Sequence, residues 1–293
     1  MKVLKFGGTS VANSKSLNKV LEIIKNQNDS IVVVVSALAG ITDLLMEMLS
    51  LAESRKDNFK SNLSKIEKLH LEPIKKCIPI QNQSAIISYL KKHLNELESR
   101  LDAIFLLEEV TKKNNASVAS FGEILSSNII HEIFKHNKID SELKDARELI
   151  QTSTHNGMEV VNEKITDQQI KNYFSNNESK VVIVAGFIAR NKSGVITTLG
   201  RGGSDFSAAI IANSVEADIF EIWTDVSGIY TAHPKIVTQA KPIKKLSYYE
   251  AMELSHFGAK VIYPPTLQPI IEKNIPIVVK NTFAPHDLGT LID

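Results

Sequence analysis

Cysteine is nearly missing from this chain: Cys77 stands alone among 293 residues. An internal disulfide is therefore excluded, and the composition fits a reducing compartment. Its neighbours Lys76 and Ile78 form no catalytic signature, so Cys77 reads as packing. Net charge is nearly missing too, since 34 basic and 33 acidic residues leave +1. That balance gives neither a nucleic-acid footprint nor an attraction to anionic membranes. No apolar run approaches the ~20 residues that a membrane helix needs. The chain opens directly on a strand pattern, without the marks of a signal peptide. The expectation is a soluble, cytoplasmic protein. What is present is a 43% hydrophobic composition, which supports a sizeable core. The length suits one large α/β domain or two lobes.

The most informative stretch runs from Val195 to Tyr230. A β-branched run, Val195 to Leu199, leads into Gly200, Gly202 and Gly203. Ser204 and Asp205 then open a helix, with Phe206, Ala209 and Ile210 on one side. A second apolar run, Ile219 to Trp223, ends at Thr224 and Asp225. Strand, glycine turn, helix and strand place polar groups at strand ends, where ligands bind in open α/β sheets. Glycines let backbone N–H groups approach an anion, and the helix start adds free N–H groups and a positive dipole end. Arg201 offers a fork for a carboxylate or phosphate. The pattern is neither a dinucleotide fingerprint, because Asp205 stands at the third glycine, nor a P-loop.

Elsewhere the chain repeats this logic. Val3 to Phe6 is a strand ending in Gly7 and Gly8, and a helix with Leu17, Val20, Leu21 and Ile24 follows. Lys5, beside those glycines, reads either as a solvated edge lysine or as a phosphate ligand. Ile31 to Val35 has the pattern of a strand buried on both faces. Ser36 ends it, and Thr42 is placed to cap the next helix. Residues 53 to 111 are polar and helical, with a seam at Ile87, Leu90, Leu94, Leu97, Leu101 and Ile104. That seam is too short for a coiled coil, so an inserted helical hairpin is expected, without visible chemistry. Ser120 to Glu123 reads as a helix start, where Glu123 alone would serve the helix dipole. Ile139 to Leu143 is a short strand, with Asp145 and Glu148 spaced as a capping box. Thr154 to Val161 reads as irregular, then extended; Thr166 caps a helix; Lys180 to Ala185 is a buried strand. Ser247 and Glu250 form a capping box for a helix reaching about His256. Ile275 to Lys280 is a strand, and residues 289 to 292 a last short one. Alternating strands and helices predict a mainly parallel sheet with helices on both faces.

Five segments in order carry a resemblance. They are K-F-G-G-T-S at Lys5–Ser10, S-F-G-E at Ser120–Glu123, G-R-G-G-S-D at Gly200–Asp205, W-T-D-V-S-G-I-Y at Trp223–Tyr230 and F-G-A-K at Phe257–Lys260. Together they resemble aspartate kinase, of the amino-acid kinase family, along the whole chain. Residues 250–260, 280–282 and 289–292 look most like the kinase part of bifunctional aspartokinase–homoserine dehydrogenase. The resemblance implies a three-layer α/β/α sandwich with a mainly parallel eight-stranded sheet. It also implies an aspartate-binding lobe at about 1–190, with the helical insertion near 53–111, and an ATP-binding lobe at about 191–293.

Roles follow from the resemblance position by position. Lys5 would neutralise the transferring phosphoryl group, with Gly7 and Gly8 as its cradle and Asp205 organising the catalytic lysines. Ser36, Thr42, Glu123, Arg201 and Ser204 would form the aspartate site, Arg201 on the α-carboxylate and Glu123 on the ammonium. Thr224, Asp225, Tyr230, Lys235 and Lys260 would face ATP. L-aspartate and MgATP are the implied substrates, with the metal held by phosphates rather than by a protein ligand set. A homodimer is the implied assembly. The sequence departs from the family at Ala232-His233-Pro234-Lys235, where T-D-P-R is usual, and at Tyr263, where a histidine is usual. Lys235 keeps the charge but loses the fork. With Asp293 last, no regulatory module and no feedback site are expected in this chain.

Overall fold

The computed structural model describes residues 1–232, 236–257 and 262–293. The first part runs β1 (Lys2–Phe6), α1 (Ser14–Lys25), β2 (Ile31–Val35), α2 (Ile41–Glu53), α3 (Phe59–Cys77), α4 (Gln83–Leu107) and α5 (Lys112–His136). Then come β3 (Ser141–Lys144), α6 (Ala146–Leu149), β4 (Gln151–His155), β5 (Met158–Val161), α7 (Glu163–Ser175), β6 (Val181–Ala185), β7 (Ile188–Asn191) and β8 (Ile196–Thr198). The last part holds α8 (Gly203–Ser214), β9 (Ile219–Thr224), β10 (Lys245–Leu246), α9 (Tyr248–His256), α10 (Gln268–Ile271), β11 (Ile277–Asn281) and β12 (Thr290–Ile292).

Eight strands form one sheet in the order β10-β12-β11-β9-β1-β2-β6-β3. All neighbours are parallel except β11 and β12. β2 and β6 are near-continuous Val and Ile runs because both faces are covered, and β1 and β9 are mainly apolar. Leu4, Phe6, Val33, Val35 and Ile183 pack under α1 to α5. Val3, Val32, Val34, Val182 and Val184 pack against α8 and its neighbours. The expected three-layer sandwich is therefore present. A second sheet of four strands, β5-β4-β7-β8, was not foreseen. Of its β4–β5 hairpin, β5 matches the extended end of the segment read from sequence as irregular, then extended, while β4 went unread because its exposed, polar residues gave no apolar alternation.

The insertion is a hairpin of α3 and α4 packed on α2 and α5. Its seam runs through Ile86, not Ile87, and then through Leu90, Leu94, Leu97, Leu101 and Ile104. His70 is fully buried within it, its Nδ1 on the Ile66 carbonyl at 2.8 Å and its Nε2 without a partner among the described residues. Burial pushes this imidazole down to about 4. Two expected caps moved, and one expected capping box does not close. Gly40 rather than Thr42 begins α2, with a φ of 78° that favours glycine. Asn162 rather than Thr166 caps α7, while Thr166 Oγ1 takes the Gln151 N–H. Asp145 does cap α6, but Glu148 turns away to Lys144 instead of closing a box. The Ser247–Glu250 box is present in full.

Candidate active site

The carboxyl ends of β1, β2, β6 and β9 define one sheet edge. β1 and β9 pair in register, Phe6 opposite Trp223, so the turn after β1 meets the end of β9. Gly7 donates its N–H to the Trp223 carbonyl at 3.0 Å, while the Gly8 N–H has no acceptor among the described residues. A Cβ on Gly8 would lie 3.0 Å from the Ala37 carbonyl, so the turn after β1 needs glycine to sit against the loop after β2. Ser36 donates its N–H to the Phe6 carbonyl at 3.2 Å, and Gly186 does the same to Val35 at 2.9 Å. The edge is thus laced strand to strand.

Helix α8 enters this edge closely. A Cβ on Gly186 would stand 2.7 Å from Ser204 Cα, so glycine there lets the helix start approach β6. Gly202 has a φ of 67° and turns the chain into the helix. The first-turn N–H groups of Ser204 and Asp205 donate to no carbonyl among the described residues. Ser207 is fully buried and fixes the joint. Its Oγ accepts the Phe187 N–H at 2.9 Å and donates to the Gly203 carbonyl at 2.9 Å. Phe187 itself holds a φ of 67°, a left-handed conformation rare outside glycine.

Between these elements lies a cleft of about 560 Å³. Lys5, Gly8, Ser36, Thr42, Glu123, Arg201, Ser204 and Asp205 all line it. Eight residues singled out from sequence are therefore brought together. Gly7 lies at its base, its hypothetical Cβ 3.6 Å from Lys5 Nζ. Lys5 Nζ pairs with Asp205 Oδ1 at 2.5 Å, both side chains mostly buried. This pair spans the sheet and α8 and holds the cation at the cleft floor. Thr224 and Asp225 stand at the end of β9, next to β1, bonded to each other at 3.2 Å. Tyr230 bridges to Pro242 beyond them. None of these three lines the cleft. Lys235 and Lys260 lie outside the described residues, as do most of the F-G-A-K segment and the His233-Pro234-Lys235 departure. Tyr263 packs against Gly202, where a Cβ would fall 2.6 Å from the Tyr263 Cβ.

Glu123 is placed differently from the sequence expectation. α5 begins at Lys112, capped by Thr111, so Glu123 is mid-helix and no dipole partner. It is buried, and Oε2 has no hydrogen-bond partner among the described residues. Burial pushes its carboxyl up to about 8, against the pull of the Ala37 N–H, its own N–H and the Lys5 charge. An unpartnered acid beside a cleft is suited to an incoming cation. α5 is tied to the loop after β2 by Ser126, whose Oγ donates to the Ser36 carbonyl at 2.8 Å. Sequence reasoning missed Phe187, Asn115 and Met46 as lining residues. Only Gly186, marking a close approach, hinted at Phe187.

Fold and site together define an α/β/α sandwich whose sheet edge gathers glycine turns, a buried lysine–aspartate pair and an arginine. The chain belongs to the amino acid kinase family, whose model matches residues 1–281. It is 37% identical over 298 residues to the bifunctional aspartokinase/homoserine dehydrogenase of Buchnera aphidicola subsp. Acyrthosiphon pisum, covering 100% of this chain and 36% of that protein. It is 34% identical over 300 residues to lysine-sensitive aspartokinase 3 of Escherichia coli, covering 99% of this chain and 63% of that protein. The crystal structure of E. coli aspartokinase III with aspartate and ADP, in its R-state, superposes with a TM-score of 0.90 at 32% identity, covering 100% of this chain and 64% of that one. The chain thus spans from about a third to under two thirds of these relatives. Among the described residues, no helix is long and apolar enough to cross a membrane.

Proposed function

We propose that this chain is an aspartate kinase catalytic unit. It transfers the γ-phosphoryl of MgATP to the β-carboxylate of L-aspartate, giving 4-phospho-L-aspartate. That reaction opens lysine, threonine and methionine biosynthesis. The observation that carries the reading is the single cleft in which the Lys5–Asp205 pair faces both Arg201 and Glu123. One end of such a cleft suits a phosphoryl group, the other an α-amino acid.

The acceptor carboxylate is already an anion at pH 7, with a pKa of about 4. No general base is needed, and catalysis reduces to positioning and charge neutralisation. Lys5 lies over the transferring oxygens, and Asp205 holds its ammonium in place. The Gly8, Ser204 and Asp205 N–H groups receive phosphoryl oxygens. Arg201 binds the α-carboxylate as a fork, while Glu123 loses its proton to meet the α-ammonium. Ser36 and Thr42 supply hydroxyls. The metal arrives as part of MgATP. Thr224, Asp225, Tyr230, Lys235 and Lys260 belong to the nucleotide side, in the lobe from about 191 onward. The lobe before it supplies Ser36, Thr42 and Glu123 to aspartate, which Arg201 meets from the nucleotide lobe. Cytoplasmic location and homodimeric assembly belong to the same reading.

The test is an ATP-dependent hydroxamate assay on this chain with aspartate, glutamate and N-acetylglutamate as acceptors. Aspartyl hydroxamate formation alone is the expected outcome. Preference for another acceptor would reassign the substrate. Binding of aspartate and ATP without turnover would make the chain a binding module.

A further inference from the structure

A second cleft lies across α5 from the first, with a volume of about 370 Å³. Its walls come from α4, α5, the turn from β3 into α6, and strands β6, β7 and β8. α4 is part of the insertion to which the sequence assigned no chemistry. At the mouth, exposed Arg100 reaches Ser117 Oγ and Glu96 at 2.6 Å each. Deeper in, the Tyr89 and His93 rings meet at a tilt, with centroids 4.1 Å apart. Opposite them stands Arg147, whose Nε and Nη2 bond Asp145. The remaining nitrogen, Nη1, has no partner among the described residues, and neither has the Tyr89 hydroxyl. Ser120, Ser127, Asn128 and Lys144 add polar groups to the lining, while Phe121, Ile124, Ile188 and Ile196 supply an apolar part. The site therefore combines free donors from an arginine and a phenol with an apolar floor.

The tyrosine and arginine are electrostatically close. Burial pushes the Tyr89 hydroxyl up to about 12 despite the pull of Arg147, which keeps it a proton donor. Asp145 is held below the usual carboxylate range by Arg147, so the Arg147 fork stays charged and oriented. A fork already fixed by one carboxylate presents its free edge without further ordering, which favours an anion. The four apolar residues would contact an aliphatic body.

We propose that this second cleft binds a small aliphatic carboxylate, its carboxylate on Arg147 and Tyr89, its hydrocarbon on Ile124, Ile188 and Ile196. The site stands apart from the acceptor cleft, because Glu123 lines only the first. It is also independent of the reaction proposed above.

Isovalerate is the probe and isovaleramide its uncharged control. Isoleucine methyl groups are labelled and followed by NMR during titration. Isovalerate should shift Ile124, Ile188 and Ile196 saturably, with a Kd on the order of 1 mM, while the amide does not. Arg147→Met should weaken binding about tenfold or more, and Tyr89→Phe by a smaller factor. Tyr89→Phe keeps the ring contact with His93, so it tests the site even if the arginine variant fails to fold. Arg201→Ala should leave binding unchanged. The proposal is overturned by the absence of a saturable shift, by equal response to the amide, or by undiminished affinity in Tyr89→Phe. Loss of binding in Arg201→Ala, or displacement by aspartate, would overturn it equally, since the anion would then sit in the first cleft.

Discussion

Replacing Glu123 with glutamine isolates the energetic cost of one buried acid. The carboxyl rises from the usual 4.5 to about 8 because burial penalises its charged form. At about 1.4 kcal/mol for each tenfold change in proton affinity, that shift corresponds to on the order of 4–5 kcal/mol. Between pH 4.5 and 8 the native state keeps a proton that the unfolded chain has released. Stability from this group is therefore fully present below about pH 4.5 and lost as pH rises through about 8. Glutamine has no proton to exchange, so Glu123→Gln should lack this loss. Urea unfolding of both proteins at pH 5, 6.5, 8 and 9, at constant ionic strength, gives the comparison. Contributions from every other titrating group cancel in the difference. The wild type should lose stability relative to the variant across the window, with the gap levelling above pH 8. Saturating aspartate should shrink the slope, because an ammonium at Glu123 favours the carboxylate. A pH-independent difference without ligand would refute the burial argument, since the side chain would then be solvated or paired.

Three further outcomes are expected. Lys5→Ala should lower kcat by about 10²–10³ while changing the aspartate KM little, as loss of one preorganised charge does; steady-state kinetics showing less than a threefold change in a folded variant would remove Lys5 from the phosphoryl site. His70, pushed by burial from 6.5 to about 4, makes the protein lose stability as pH falls through that window. His70→Gln should flatten that acid limb in thermal melts, and an unchanged limb would contradict it. Gly186→Ala forces a methyl within 2.7 Å of Ser204 Cα. It should cost about 1–3 kcal/mol, as overpacking does, and urea midpoints equal to wild type would show that α8 yields freely.

The sheet was readable because β2 and β6 carry their burial in unbroken apolar runs, and β1 and β9 in apolar runs interrupted inside by one charged residue each, Lys5 and Glu221. The glycine turns were readable because close backbone approach leaves few alternatives to glycine. Where the fold escaped prediction, the signal was missing for a physical reason. Residues 112–119 read Lys-Lys-Asn-Asn-Ala-Ser-Val-Ala, and part of their surface faces clefts instead of a core. They carry no apolar stripe, so α5 seemed to start eight residues late and Glu123 seemed to sit at its beginning. Thr42 and Thr166 looked like caps, yet a glycine and an asparagine slightly earlier already filled that role. The spacing of Asp145 and Glu148 matched a capping box, but Lys144 offered Glu148 a charged partner. The gathering of Lys5, Glu123, Arg201 and Asp205 was foreseen only through motif resemblance. Residue types alone left Lys5 between edge and site, and gave Glu123 to a dipole it never meets.

The free edge of the large sheet has a bearing on how this protein behaves in a crowded solution. β1 pairs with β9 across 217 residues of chain, since Lys2 lies opposite Ile219. Long-range parallel pairing of this kind forms slowly, and an unfinished sheet offers open strands to other chains. At one end the last strand, β10, is only two residues long. At the other, β3 reads Ser-Glu-Leu-Lys. Glu142 is held there by Tyr173 at 2.7 Å, Asn177 at 2.5 Å and Ser179 at 3.2 Å. Lys144 pairs with Glu148 and lies 4.8 Å from the Tyr173 ring. A foreign strand adding to β3 would have to strip two anchored charges of their partners. Short, charged edges of this kind discourage edge-to-edge aggregation. Neutralising both positions, as in Glu142→Val with Lys144→Val, would turn β3 into a template for intermolecular pairing and expose the protein to precipitation during refolding.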